Sequence, residues 1–165
     1  VAIGDAIEAF RRESGMSQAE LAKHLHFDRS MISRIENGER AWPEAHDAKL
    51  ASMSWKLALK LAEERTGGYI SNMLDDVPNL DLHPAALKDL LLKELRELYA
   101  VLEGTALARH VDPEKKREQA ERIWMEMRDV QAVAAVLQGV IEEEFGLDRK
   151  RLIQKYDMEV KRGER

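Results

Sequence analysis

Between Met16 and Gly38 the chain reads MSQAELAKHLHFDRSMISRIENG, and the spacing of apolar, capping and turn residues there admits few folds. Leu21, Ala22 and Leu25 recur at helical spacing, and so do Ile32 and Ile35, which predicts two short helices with one buried face each. Ser17, with Glu20 three residues on, predicts a capping box at the start of the first helix. Asp28 is placed to cap the second. Only His26, Phe27 and Asp28 remain between them, so the two packed helices must cross steeply. The second helix then offers Arg29, Ser30, Ser33 and Arg34 to the outside.

Two steeply crossed helices with arginine and hydroxyl groups on one exposed face suit reading of a DNA major groove. The segment resembles the lambda-repressor-like helix-turn-helix family, the XRE or Cro-type regulators. Ser17-Gln18, Leu21-Ala22, Ile32-Ser33-Arg34-Ile35 and Glu36-Asn37-Gly38 carry the resemblance, which with flanking helices covers residues 1–65. It implies a five-helix domain that binds double-stranded DNA sequence-specifically as a dimer. It also implies that Gln18 contacts phosphate and braces the recognition helix, and that Arg29 and Ser30 reach base edges. Arginine there favours guanine through O6 and N7. Ser33 and Arg34 follow one turn on, Arg34 meeting a base or a phosphate. Asn37 either caps the helix end or contacts phosphate, and Arg40 is expected as a phosphate ligand. One position departs from the family. His26 stands where the turn usually has glycine in a left-handed conformation, at a cost of about 1 kcal/mol.

Hydrophobic content of 44% with only 5% aromatics favours helices packed through Leu, Ala, Ile and Met, and no strand-like alternation of useful length occurs. The expected fold is all-α. The absence of cysteine excludes disulfides, thiolate metal sites and thiol nucleophiles. Without a signal-like segment or a membrane-length apolar run, the expectation is a soluble, cytoplasmic protein with no membrane contact. A net charge of −5 argues against a non-specific nucleic-acid coat. Residues 1–65 hold ten Lys/Arg and eleven Asp/Glu, so DNA affinity must come from placement of Arg29, Arg34 and Arg40 and from dimer avidity.

The first helix is expected over Ile3–Glu13, with Ile3, Ala6, Ile7 and Phe10 facing Leu21, Leu25 and Ile35. After Pro43, helices are expected over Glu44–Ala51 and Ser54–Arg65. Thr66-Gly67-Gly68 closes a DNA-binding domain of residues 1–66, and residues 67–83 read as an ordered linker. Residues 84–165 form a helical region. One helix from Pro84 carries Leu87, Leu90, Leu91, Leu95, Leu98 and Leu102 as a stripe. A second, capped by Asp112, carries Ile123, Trp124, Met127, Val130, Ala134, Leu137 and Ile141. A third opens at Asp148. The stripes are wide for one mutual contact. They either fill an intramolecular bundle or pair with a second copy, the dimerisation residues then being Leu91, Leu95, Leu98, Leu102, Ile123, Trp124, Met127, Val130, Leu137 and Ile141.

No catalytic, cofactor or metal constellation stands out. His24 and His26 diverge around a helix, and Asp75-Asp76 and Glu142-Glu143-Glu144 read as solvated faces. The seven Lys/Arg among residues 149–165 read likewise, or as an auxiliary phosphate arm. The expectation is a non-enzymatic transcriptional regulator, a phage- or mobile-element-type repressor. The alternatives are an interaction module of this fold that does not bind DNA, and an antitoxin-like regulator whose C-terminal helices hold a protein partner.

Overall fold

The computed structural model describes residues 2–107 and 112–165, which are helical throughout apart from turns and loops, with no strand among them. The chain divides into two compact units, Val1–Pro78 and Asn79–Arg165.

In the first unit α1 (Ile3–Glu13), α2 (Gln18–Leu25), α3 (Arg29–Glu36), α4 (Asp47–Met53) and α5 (Trp55–Arg65) enclose one core. Ile7, Leu21, Leu25, Ile32, Ile35, Trp42, Leu50, Leu57 and Leu61 are buried together, with Ile3, Ala6 and Phe10 packed against them. The turn of 3₁₀ helix at Glu44–His46 runs directly into α4, where a single helix was expected. Ser54 ends α4 and caps α5 with its side chain. The capping box of Ser17 and Glu20 is present. Asp28 occupies the N-cap of α3, but its side chain accepts no capping hydrogen bond, leaving the start of that helix uncovered.

Gly4 fixes how closely α1 approaches α3. A Cβ there would overlap the carbonyl oxygen of Ile35, a backbone atom that has no room to swing away.

Beyond the paired glycines, the stretch expected as linker begins as part of the first unit. A short helix α6 (Met73–Asp76) is capped by Asn72, which is buried. Asp75 is no solvated acid. Its Oδ2 accepts from Lys60 Nζ at 2.9 Å, and the same ammonium donates to Glu63 at 2.9 Å. Burial opposes the charge on Lys60, but bonds to Glu63, Asp75 and Glu64 outweigh it and raise its pKa.

In the second unit α7 (Pro84–Glu103) and α8 (Pro113–Glu144) form an antiparallel hairpin, followed by α9 (Arg149–Lys161). His83, Asp112 and Asp148 cap the three helices with their side chains. The seam takes only part of the expected stripes. Leu87 and Val101 of α7 are buried with Ile123, Val133, Val136 and Val140 of α8, whereas Leu95 and Leu102 stay 42% exposed. No residue of α9 is buried. It walls a cleft of about 780 Å³ with Leu91, Leu137 and Ile141 opposite Leu152, Ile153 and Tyr156. Glu142, expected on a solvated face, pairs with Arg149 at 2.5 Å.

Replacing Gly4 by alanine should force α1 away from α3 and lower stability by about 1–3 kcal/mol, the usual cost of overpacking a core that cannot yield. Urea unfolding of the variant against the wild type measures it.

Candidate nucleic-acid interface

Helices α2 and α3 are joined by a turn whose geometry is set at one residue. The C-cap of α2 is His26, in the left-handed region at φ 58° and ψ 39°, the only non-glycine residue with positive φ among the described residues. The chain thus adopts the conformation glycine would favour, and the turn keeps its course. Phe27 then points inward. Its ring lies 5.6 Å from that of Trp42 and 4.5 Å from that of His46, edge-on to the imidazole. Trp42 Nε1 donates to Asp47 Oδ1 at 2.9 Å, and Arg65 Nε donates to Asp47 Oδ2 at 2.8 Å. The Arg65 hydrogen bond holds the Asp47 carboxyl below the usual carboxylate range. The loop leaving α3 is thereby fixed at its far end.

Behind α3 lies a buried ionic clamp. Glu36, the last residue of α3, has a side chain only 2% exposed. Arg11 Nε donates to its Oε1 at 2.6 Å, and Gln18 Nε2 donates to its Oε2 at 2.7 Å. Arg11 Nη1 also donates to the carbonyl of Met16 at 3.0 Å, reaching the turn between α1 and α2. The hydrogen bond to Glu36 raises the Arg11 pKa despite the desolvation. Three helices and a turn meet on one carboxylate. Neither Arg11 nor Glu36 was among the site residues expected from sequence. Each lies four residues after a buried isoleucine, Ile7 and Ile32, so helical spacing alone directs both toward the core. Gly4 was likewise unforeseen.

The expected DNA-contact residues divide by what holds them. Arg29 and Ser30, in the first turn of α3, are exposed, as are Asn37 and Arg40 past its other end. Arg34 is also exposed, with Glu39 4.0 Å away, while Ser33 is half-buried. Neither Arg29 nor Arg40 makes an ion pair among the described residues. Gln18 is half-buried with its amide committed to Glu36. Its backbone N–H, in the first turn of α2, lacks an intrahelical acceptor. Asn37 forms the C-cap of α3, its N–H donating to Ser33. The face offered is therefore guanidinium, hydroxyl and amide groups on a helix held rigidly from behind.

The residues expected at a dimer interface are spread over the second unit. Leu95, Leu102, Trp124 and Met127 are exposed. Leu91, Leu98, Val130, Leu137 and Ile141 are half-buried, and Leu91, Leu137 and Ile141 line the cleft against α9. Ile123 is 6% exposed inside the hairpin seam and has no surface left for a partner. Of the histidines, His46 packs on Phe27 and His83 Nδ1 accepts from the Ala85 N–H, while His110 lies outside the described residues.

Helices α2 and α3, crossed through a tight turn with α3 exposed along one side, constitute a helix-turn-helix. Residues 2–51 match the family model described as a helix-turn-helix domain, which is consistent with a lambda-repressor-like fold and gives this segment the character of a DNA-binding module. No curated protein and no solved structure matches the chain. No described helix is long and apolar enough to cross a membrane.

Breaking the clamp at Glu36 strands a largely buried guanidinium. Glu36→Gln is expected to cost about 3 kcal/mol, and the apolar pair Arg11→Met with Glu36→Leu distinctly less. Denaturant unfolding of the two variants separates a buried-charge penalty from simple loss of packing.

Proposed function

We propose that the chain is a sequence-specific transcriptional regulator of the lambda-repressor-like, XRE or Cro type, a repressor of the phage or mobile-element kind that binds its operator in the cytoplasm as a homodimer. The observation that carries the reading is the outer face of α3, where Arg29, Ser30 and Arg34 are exposed on a helix clamped through Glu36. Arg29 reads guanine in the major groove, and Ser30 and Ser33 take neighbouring base edges or phosphates. Arg34, Arg40, Asn37 and the first-turn N–H of Gln18 position the domain on the phosphates.

Dimerisation follows from the geometry of recognition. One helix-turn-helix reads too few base pairs for useful specificity, and paired half-sites match a two-fold protein. Leu95, Leu102, Trp124 and Met127, exposed beside the hairpin seam, supply an apolar face of the kind that marks an interface. The near-neutral first unit favours one rival, an interaction module of the same fold without DNA, and the operator experiment decides between them.

Arg29→Ala should weaken operator binding by roughly ten- to a hundred-fold, since a bidentate base contact is worth about 1–3 kcal/mol, and Arg34→Ala, a phosphate contact, should weaken binding to operator and non-operator DNA alike. Thermal stability should not change, because both side chains are exposed. Fluorescence anisotropy on an operator selected with the wild-type protein provides the measurement, and two variants of undiminished affinity would refute α3 as the reader. Changing Leu95 and Leu102 together to glutamate should yield folded monomers, because neither lies in the seam. Sedimentation equilibrium showing a wild-type monomer at micromolar concentration would remove the dimer from the proposal.

A further inference from the structure

The seam of the α7–α8 hairpin carries two carboxyl groups at positions where its spacing calls for apolar side chains. Glu94 lies seven residues after Leu87 and seven before Val101, both buried. Glu126 lies three after Ile123 and seven before Val133, again both buried. Carboxylate oxygens of Glu94, Glu126 and the more exposed Glu97 lie within 4.8 Å of one another. Oε2 of Glu94 and Oε2 of Glu126 are cut off from solvent and have no hydrogen-bond partner among the described residues.

The surrounding charges do little to relieve them. From α7, Lys93 Nζ stands 3.9 Å from Glu94 Oε1 and 3.8 Å from Glu97 Oε1. From α8, Glu126 and Asp129 add negative charge. The Lys93 ammonium thus stands between Glu94 and Glu97. Two ionised carboxylates at this separation in a half-buried seam repel, and a buried oxygen without a donor carries a desolvation cost.

We propose that Glu94 and Glu126 share one proton, the protonated carboxyl of one donating to the carboxylate of the other, so that the α7–α8 hairpin is a pH-responsive element. A single proton satisfies both orphaned oxygens and removes one of the two opposed charges. Burial of Glu94, reinforced by Asp129, Glu97 and Glu126 and opposed by Lys93, raises its pKa in the folded chain. An acid whose folded pKa lies above its unfolded one contributes stability in full below the unfolded value, and loses it as pH rises through the folded value. The hairpin is therefore firmer on the acid side, the reverse of a salt-bridged carboxylate. The proton pair stands independently of any DNA or dimer. Its coupling to assembly rests on the dimer reading. Leu95 adjoins Glu94 and Met127 adjoins Glu126, so a second copy laid over that stripe would dry the pair further and take up protons on association.

Carbon NMR of the glutamate side-chain carboxyls in the full chain, titrated through the acid range, tests the pair directly. Glu94 should titrate above the ordinary glutamate range. Glu126→Gln should leave Glu94 with a single step moved back toward that range. Glu94→Gln should raise the hairpin's melting temperature at neutral pH and flatten its pH dependence. Titration of Glu94 in the ordinary range, unmoved by Glu126→Gln, overturns the proposal. So does a response of both resonances to magnesium at fixed pH, which would make the cluster a cation site. Sedimentation at two pH values then isolates the second step. A pair that titrates as proposed with pH-independent association leaves the proton sharing intact and removes only its link to assembly.

Discussion

The buried carboxylate of Glu36 organises the first unit. An ionised group with so little solvent access persists only if its lone pairs are met, and here an arginine from α1 and an amide from α2 meet them. The requirement is geometric as well as energetic, because donors must arrive from two directions at fixed distances. Once they do, the mutual orientation of α1, α2 and α3 has little freedom. Arg11 adds the Met16 carbonyl, so the turn entering α2 is set by the same side chain. The aromatic contact of Phe27 with Trp42 and His46 performs the corresponding task at the turn between α2 and α3. The exposed face of α3 is the product of these two anchors.

In the second unit a different balance holds. The hairpin buries valines and leaves leucines, Trp124 and Met127 at its flank, while α9 adds no buried residue. Its seam contains an unsatisfied acidic pair where the first unit contains a satisfied ionic clamp. The clamp has two donor side chains for one carboxylate; in the seam one ammonium stands between Glu94 and Glu97. Burial of charge thus fixes geometry in one place and makes stability conditional in the other.

Helix ends were the most legible part of the sequence. Ser17 with Glu20, Asp112 with Pro113, Asp148 and the glycines at 15, 67, 68 and 146 act through local chemistry, and α1, α7 and α8 run as their signals predict. The outer residues of α3 were legible for the same reason, since a short helix with two isoleucines inward has few places to put its arginines. Long-range pairings were not. Arg11 and Glu36 are 25 residues apart and Lys60 and Asp75 are 15 apart, and no local rule links them. The seam was legible only in part: Leu87 and Ile123 of the expected stripes are buried in it, while Val101, Val133, Val136 and Val140, which the stripes left out, complete it. Asp28 shows that a capping residue in the capping position need not make the bond.

The clamp grips α3 at its last residue, whereas the side chains offered to a groove begin at its first. Anchorage and address are thereby written in separate places. Arg29, Ser30 and Arg34 bear almost none of the domain's packing, so single substitutions there alter what the helix presents without disturbing how it is held. At Glu36 the opposite applies, because any one change leaves donors without an acceptor and only concerted replacement restores the balance. On the proposed reading, a change at Arg29, Ser30 or Arg34 alters the sequence read and leaves standing the scaffold that Arg11, Gln18 and Glu36 hold.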